Sequence, residues 1–490
     1  MAPELLLATA LLAPLVGAIA PGRRADRIGT GFGALAAIVL LVVVSEDGPV
    51  AVFDGWITAD RLGALWLVFV ILTIATVRRF AGGSLAADTT RDRFLRLSAC
   101  SGAGGALLVV AGNLWALVLA SALSGLAAAA VLAYDGRASA TRASVQALRS
   151  FVLGDLALLV AAVIVASDVG STSFGRLDEA SGAARDVAAV LIVVAALLRC
   201  AQLPMHRWLV RSLAAPTPAS ALLHAGVVNG GGVILIRSAG LTNASPIAVA
   251  LGITVATLGI IVAAAVMRSR ADVKGGLVWS TIAQMGFMLV QALLGLTAAA
   301  GLHMIAHGMY KANLFLRSGS TLEHRSHLRR LELGRAMTGA VFVASVAVAG
   351  IAVLVSGFHL LEDDGAGILI GAFAALTIFH VLLAAVGATP RIARRVALTA
   401  LAVGGLTTAY LAALAFLEDW ADLPSTPLAN GGLVAGIVVA VTVLGALATN
   451  PSSQARAGRF RLALSTRVMA LGRAPLLPEY RIRPRAGATA

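Results

Sequence analysis

At 490 residues, 59% of them hydrophobic and 13% charged, the chain has a mean hydropathy of +0.90. A soluble protein of this length needs far more surface charge, so composition excludes the soluble class and places the chain in a membrane. The net charge of +14 calls for no nucleic acid, because arginines between apolar segments and a basic stretch from Arg456 to Arg485 account for it.

Crossing a hydrocarbon core of about 30 Å takes roughly 20 apolar residues as helix, since every backbone amide must be satisfied internally. About fifteen such runs follow one another. They start near Glu4, Gly29, Asp60, Phe94, Leu114, Ser150, Ala184, Thr217, Ala248, Asp272, Ala298, Ala336, Gly365, Arg394 and Gly431. The expected fold is therefore all-α and polytopic: a transmembrane domain over 1–450 and a basic tail over 451–490. The opening Met-Ala-Pro-Glu lacks the basic stretch of a signal peptide, so the first span is expected to stay. Loop charges test the count. Arg23, Arg24 and Arg27 follow the first span, Arg78 and Arg79 the third, Arg137 and Arg142 the fifth, Arg268 and Arg270 the ninth, Arg329 and Arg330 the eleventh. Between them the loops are acidic or neutral, as at Glu46-Asp47 and Glu418-Asp419. Regular alternation of this kind predicts an outside N-terminus, a cytoplasmic C-terminus and a place in the cytoplasmic (inner) membrane, in contact with its lipid.

A charge in mid-membrane costs at least about 2.5–3.5 kcal/mol on insertion scales, so each polar residue inside a span is a candidate for function. The sixth span carries Asp155 and the seventh ends on Arg199, close enough in the order of spans for each to neutralise the other. Pro204 is expected to end or kink the seventh helix, and Pro216 and Pro218 suit the opening of the eighth. In that eighth span His224 precedes Asn229 and three glycines, a polar weak point suited to a wet, interrupted helix; the plainer reading is that the glycines only let helices pack closely. Lys274 and Gln284 add polarity to the tenth span, while His380 and Tyr410 read as lone satisfied core groups.

The densest signal is in the eleventh span, where His303, His307 and Lys311 recur at intervals of four and so share one helix face. They extend over about 12 Å of helix. Two imidazoles and a desolvated amine can each titrate near neutral pH, which suits a proton relay. Zinc binding by the His-x3-His pair lacks an evident third ligand, and simple packing hydrogen bonds are the other reading. The two cysteines, Cys100 and Cys200, are too few for a thiolate cluster, and no phosphate-binding glycine loop precedes a helix. No cofactor is expected in this chain.

Three stretches carry a family resemblance: Ala201-Gln-Leu-Pro-Met-His-Arg-Trp-Leu with Pro216-Thr-Pro-Ala-Ser-Ala-Leu-Leu-His, Ala271-Asp-Val-Lys-Gly-Gly-Leu-Val-Trp-Ser-Thr-Ile-Ala-Gln-Met-Gly-Phe-Met, and His303 through Lys311 with Leu314-Phe-Leu-Arg-Ser-Gly-Ser. They resemble the antiporter-like membrane subunits of respiratory complex I and of multisubunit sodium/proton antiporters, over a core of roughly 60–360. The resemblance implies two inverted helical repeats with broken helices. It matches Arg199 to the central pathway lysine, Asp155 to a nearby carboxylate, Lys274, His303, His307 and Lys311 to the relay, and His224 to a polar site on the eighth helix.

The chain also departs from that pattern. The glutamate usual in the fifth span is absent, with Ala122 near its place; the central lysine is Arg199; and the exit lysine after Gly357-Phe358 gives way to His359-Leu-Leu-Glu362. One branch is more similar, through His224-Ala-Gly-Val-Val-Asn-Gly-Gly-Gly and Ala-Gln-Met-Gly-Phe-Met: the membrane subunit of the DAB inorganic-carbon accumulation complex. That resemblance implies a large cytoplasmic zinc partner related to carbonic anhydrases, with cation flow through the membrane subunit energising conversion of carbon dioxide to bicarbonate. The expected function is thus a cation-conducting subunit for inorganic-carbon uptake, not itself an enzyme. The alternatives are a proton-translocating subunit of a complex I-like quinone reductase or antiporter, and a non-conducting membrane anchor for a peripheral enzyme.

Overall fold

A computed structural model describes residues 2–21, 24–270, 272–318 and 392–422, with backbone alone over 392–404. The expected twelfth, thirteenth and fifteenth spans, the basic tail, His359 to Glu362 and His380 lie outside the described residues.

The remaining spans are helices that start close to where hydropathy puts them. They are α1 (Pro3–Ile19), α2 (Arg24–Asp47), α3 (Arg61–Ser84), α4 (Arg91–Val109), α5 (Leu114–Leu132), α6 (Ala138–Val169) and α7 (Gly182–Arg199). Then come the short α8 (Arg207–Arg211), α9 (Thr217–Ala225), α10 (Gly230–Arg237) and α11 (Ala239–Thr242), followed by the long α12 (Pro246–Ser269), α13 (Val273–Leu293), α14 (Thr297–Arg317) and α15 (Ile392–Trp420). Among the described residues seven helical stretches are long and apolar enough to cross a membrane, counting α9 and α10 as one. Helix α4 opens on Arg91, Asp92 and Arg93, and α14 carries His303, His307 and Lys311; these charged and polar groups dilute an otherwise apolar helix.

Two features differ from the expectation. Helix α6 begins at Ala138, well before Ser150, because Ala140, Ala143 and Ala147 form a buried stripe at helical spacing in a stretch too polar for a hydropathy test. The loop after α2 holds a two-stranded antiparallel hairpin, β1 (Val50–Val52) with β2 (Ile57–Ala59), a small exception to the all-α expectation. Its turn needs left-handed backbone at Phe53 and Asp54 as well as Gly55.

Ion pairs join helix ends as an alternating topology requires. At the arginine-rich end, Arg78 of α3 donates two bonds to the Asp26 carboxylate of α2, at 2.8 and 2.7 Å, with both side chains buried. At the opposite end, Arg61 bonds the carbonyls of Ser45 on α2 and Trp420 on α15. There too Arg237 of α10 pairs with Asp60, whose carboxylate caps α3 through the Gly63 amide, and bonds the Val109 carbonyl that ends α4. These struts hold α3 and α10 upright around the site.

Both breaks expected from the prolines and glycines are present. Helix α7 ends at Arg199, Ala201 takes left-handed backbone (φ 53°), and the chain restarts as α8. Gln202 caps this gap by donating to the carbonyls of Cys200 and Ile282, at 3.1 and 3.0 Å, so freed backbone groups stay satisfied away from water. The eighth span is split into α9 and α10 by a tighter turn over Val227–Asn229. Against this second break packs α14 at Gly308, where a Cβ would sit 2.3 Å from Phe69 Cζ and 2.7 Å from the Ala225 carbonyl. Gly308→Ala is therefore expected to destabilise the protein by about 1–3 kcal/mol, as overpacking does. A thermal unfolding curve in detergent that did not move would show that α14 is free to shift away.

Candidate functional site

The site lies between the antiparallel helices α13 and α14, joined by the short turn Leu294–Leu296. Four-residue spacing turns His303, His307 and Lys311 of α14 toward α13, and α13 meets each with a polar group. His303 Nδ1 lies 2.8 Å from Gln291 Oε1, and His307 Nδ1 lies 2.7 Å from Gln284 Oε1. Lys311 Nζ donates to Ser280 Oγ at 2.8 Å and to the Leu277 carbonyl at 3.1 Å. Lys311 is wholly buried and His307 nearly so, while His303 is half-buried. The two imidazole centroids are 5.9 Å apart. No carboxylate pairs with Lys311 among the described residues, so its ammonium is held by neutral oxygens only.

Lys274 is half-buried at the start of α13, one turn beyond Leu277. From Lys274 to Gln291 the polar groups therefore span seventeen residues of α13, about 26 Å at 1.5 Å per residue, most of a hydrocarbon core. A branch leaves this column at Thr281. Its hydroxyl donates to the Leu277 carbonyl that Lys311 also uses, and it faces His224 Nδ1 at 3.1 Å. His224 is fully buried, stacks on Phe315 and approaches Ser212 Oγ at 3.5 Å, which points the branch toward the gap between α7 and α9.

Asn229 donates its amide to the carbonyls of Ala225 and Met304, at 3.0 and 3.2 Å, tying the α9–α10 break to α14 one residue after His303. Its Oδ1 has no protein partner. Beside it lies a cavity of about 60 Å³ lined mainly by apolar side chains such as Trp66, Leu108 and Val233, with Ser101 and Ser124 in its wall.

Arg199 and Asp155 form a separate cluster on the other side of the broken helices. They do not touch directly. Ser121 of α5 donates to Asp155 Oδ1 at 2.6 Å, and its carbonyl accepts from Arg199 Nη1 at 3.2 Å. The guanidinium stands 4.7 Å over the Phe151 ring, and its Nε and Nη2 have no partner. The structure thus brings His303, His307, Lys311, Gln284 and His224 together, sets Lys274 one turn further along α13, and keeps Arg199 with Asp155 apart from them. Pro204 sits in the α7–α8 gap as expected. Tyr410 is half-buried on α15, with Gln291 near its hydroxyl.

Sequence reading missed Gln291, Ser280, Thr281 and Ser121. Gln291 had a signal: it follows Gln284 by seven residues, two helical turns, and so shares its face. The two serines and Thr281 had none, since such residues are common in membrane helices as backbone-bonded packing groups. A zinc reading of His303 and His307 still lacks its third ligand: among the described residues no three His, Cys, Asp or Glu side chains come together.

Comparison with known proteins identifies the family and the fold. Residues 111–389 match the family model described as NADH:quinone oxidoreductase/Mrp antiporter, transmembrane. The chain is 33% identical over 372 residues to the probable inorganic carbon transporter subunit DabB2 of Halothiobacillus neapolitanus, covering 71% of this chain and 67% of that protein. It is 32% identical to the probable inorganic carbon transporter subunit DabB of Bacillus subtilis, over 60% of each chain. NADH-quinone oxidoreductase subunit L of Mycobacterium tuberculosis is 30% identical over 64% of this chain and 55% of its own length. The chain thus spans between about half and two thirds of these relatives. Among solved structures, a chain of the Mrp complex from Dietzia superposes with a TM-score of 0.58 at 21% identity, over 97% of this chain and 60% of that one, which shows a shared fold.

Proposed function

We propose that this chain, which belongs to the NADH:quinone oxidoreductase/Mrp antiporter family of membrane subunits, carries protons or another small cation through the membrane to energise inorganic-carbon uptake. The observation that carries the transport reading is the polar column: two imidazoles and a buried amine, spaced one helical turn apart over about 12 Å of α14, each hydrogen-bonded to a polar side chain of the antiparallel α13. Each group can hold a proton, and each is bonded to a neutral neighbour that leaves its charge adjustable. The carbon-uptake reading is supported by similarity to the two DabB relatives, which are named as probable inorganic carbon transporter subunits.

The rest of the reading rests on the resemblance to the inorganic-carbon branch, which implies a large cytoplasmic zinc partner related to carbonic anhydrases; a zinc-activated water in that partner would hydrate the carbon dioxide. The arginine-rich helix ends face the cytoplasm in this reading, so the partner docks there. The similarity to subunit L keeps a second reading in view, a proton-translocating subunit of a respiratory complex.

Purification of the tagged chain from its host in mild detergent, with mass spectrometry and zinc analysis of what accompanies it, separates the two. A large stoichiometric zinc protein is the expected result. Quinone-reductase or antiporter subunits in its place would move the chain to the respiratory reading. A complex that carries zinc but passes no protons in sealed vesicles would leave only a membrane anchor.

A further inference from the structure

The bonds of the column fix which nitrogen of each imidazole carries its proton. A glutamine Oε1 can only accept a hydrogen bond. With the two amides oriented as they stand, His307 Nδ1, 2.7 Å from Gln284 Oε1, is the protonated nitrogen of the neutral ring, and His303 Nδ1, 2.8 Å from Gln291 Oε1, likewise. In His307 the other nitrogen, Nε2, is buried and makes no hydrogen bond of good geometry, with the His224 backbone carbonyl near the ring. With Nδ1 protonated it is left as a lone pair in the middle of the column, with Lys311 one turn away on the same helix.

We propose that Gln284 and Gln291 are positioning residues that lock His307 and His303 in the Nδ1–H form, so that each ring takes up and gives back its proton at Nε2. The inference rests on the relay reading above and adds the atom at which each step occurs. A proton arriving at Nε2 makes an imidazolium with both nitrogens protonated. To pass that charge through the ring, Nδ1–H would have to yield its proton to the glutamine oxygen, and an amide oxygen is too weak a base to take it. The proton therefore leaves from Nε2, the nitrogen it entered, and the imidazole must turn between donor and acceptor while Nδ1–H stays anchored. Transfer along the column is then paced by side-chain rotation about the anchor. Each glutamine also orients its histidine much as an outer partner orients a metal-bound imidazole.

The test reads tautomers directly. With the full chain in lipid and its histidines labelled with nitrogen-15, solid-state NMR distinguishes a protonated from a bare ring nitrogen. The His307 signal is assigned as the one lost in His307→Gln. The expected result is a neutral His307 with Nδ1 protonated and Nε2 bare. Gln284→Leu removes the acceptor and should move the ring toward the opposite tautomer, with proton flux in vesicles falling about tenfold. Gln284→Glu keeps an acceptor oxygen and should retain the Nδ1–H form. A parent His307 protonated at Nε2, or a tautomer unmoved by Gln284→Leu, would overturn the proposal. A correct tautomer in a protein that passes no protons would leave the lock standing and remove the relay reading instead.

Discussion

Replacing Lys311 with methionine should reduce proton flux in sealed vesicles at least a hundredfold, the scale at which a missing acid–base group acts, and leave the fold at least as stable. Lys311 is fully buried, and its ammonium is held by one hydroxyl and one helix carbonyl with no counter-charge among the described residues. Burying a charge so is costly, and methionine fills nearly the same volume without that cost. Activity and stability should therefore move in opposite directions, which a structural lysine would not allow. Lys311→Arg sharpens the point. It keeps a cation and its donors but hardly ever deprotonates, so flux should again be lost although the charge remains. Flux that survived Lys311→Arg would mean that Lys311 need never release a proton. His307→Gln belongs to the same experiment, since glutamine can still hydrogen-bond but cannot titrate. It should abolish coupled carbon uptake while the complex still assembles.

Much of this was legible because a membrane simplifies the sequence. Hydropathy alone locates α3, α5, α9 and α13 to within a residue or two of their observed starts, since lipid demands an apolar helix and loops interrupt it with charge. The His303, His307 and Lys311 face was legible from its spacing, and the breaks from Pro204 and from Asn229 with its glycines. What could not be read is pairing between helices. Nothing in the order of residues says that Gln291 meets His303 across a turn of three residues, that Ser280 meets Lys311, or that Thr281 carries the branch to His224. Those contacts depend on the rotation of α13 about its own axis, which packing against α12 and α14 decides. The start of α6 was missed for the converse reason: its first turns bury only alanines, and their weak stripe sits among Arg142, Gln146 and Arg149.

Arg199 and Asp155 show how a departure from the family pattern can be absorbed, and they set the second large prediction. A buried guanidinium that cannot deprotonate needs a compensating charge. The fifth-span glutamate that the resemblance leads one to expect is absent, with Ala122 near its place. Its neighbour Ser121 instead reaches across to Asp155 on α6, while the Ser121 carbonyl holds Arg199. The carboxylate has in effect moved one helix outward, and a serine spans the difference. Asp155→Asn keeps an oxygen for the Ser121 hydroxyl but removes the charge. Leaving one member of a buried pair uncompensated costs about 3–5 kcal/mol, and because Asp155 is only half-buried the lower end applies. A marked fall in melting temperature is therefore expected for Asp155→Asn. Adding Arg199→Met removes the stranded cation, fills its space with an apolar side chain of similar length and should restore most of the loss. If Asp155→Asn melts like the parent, Arg199 draws its balance from elsewhere and Asp155 is not its counter-charge. If the double variant stays as unstable as the single one, the guanidinium contributes through its packing on Phe151 and its bond to Ser121 rather than through charge.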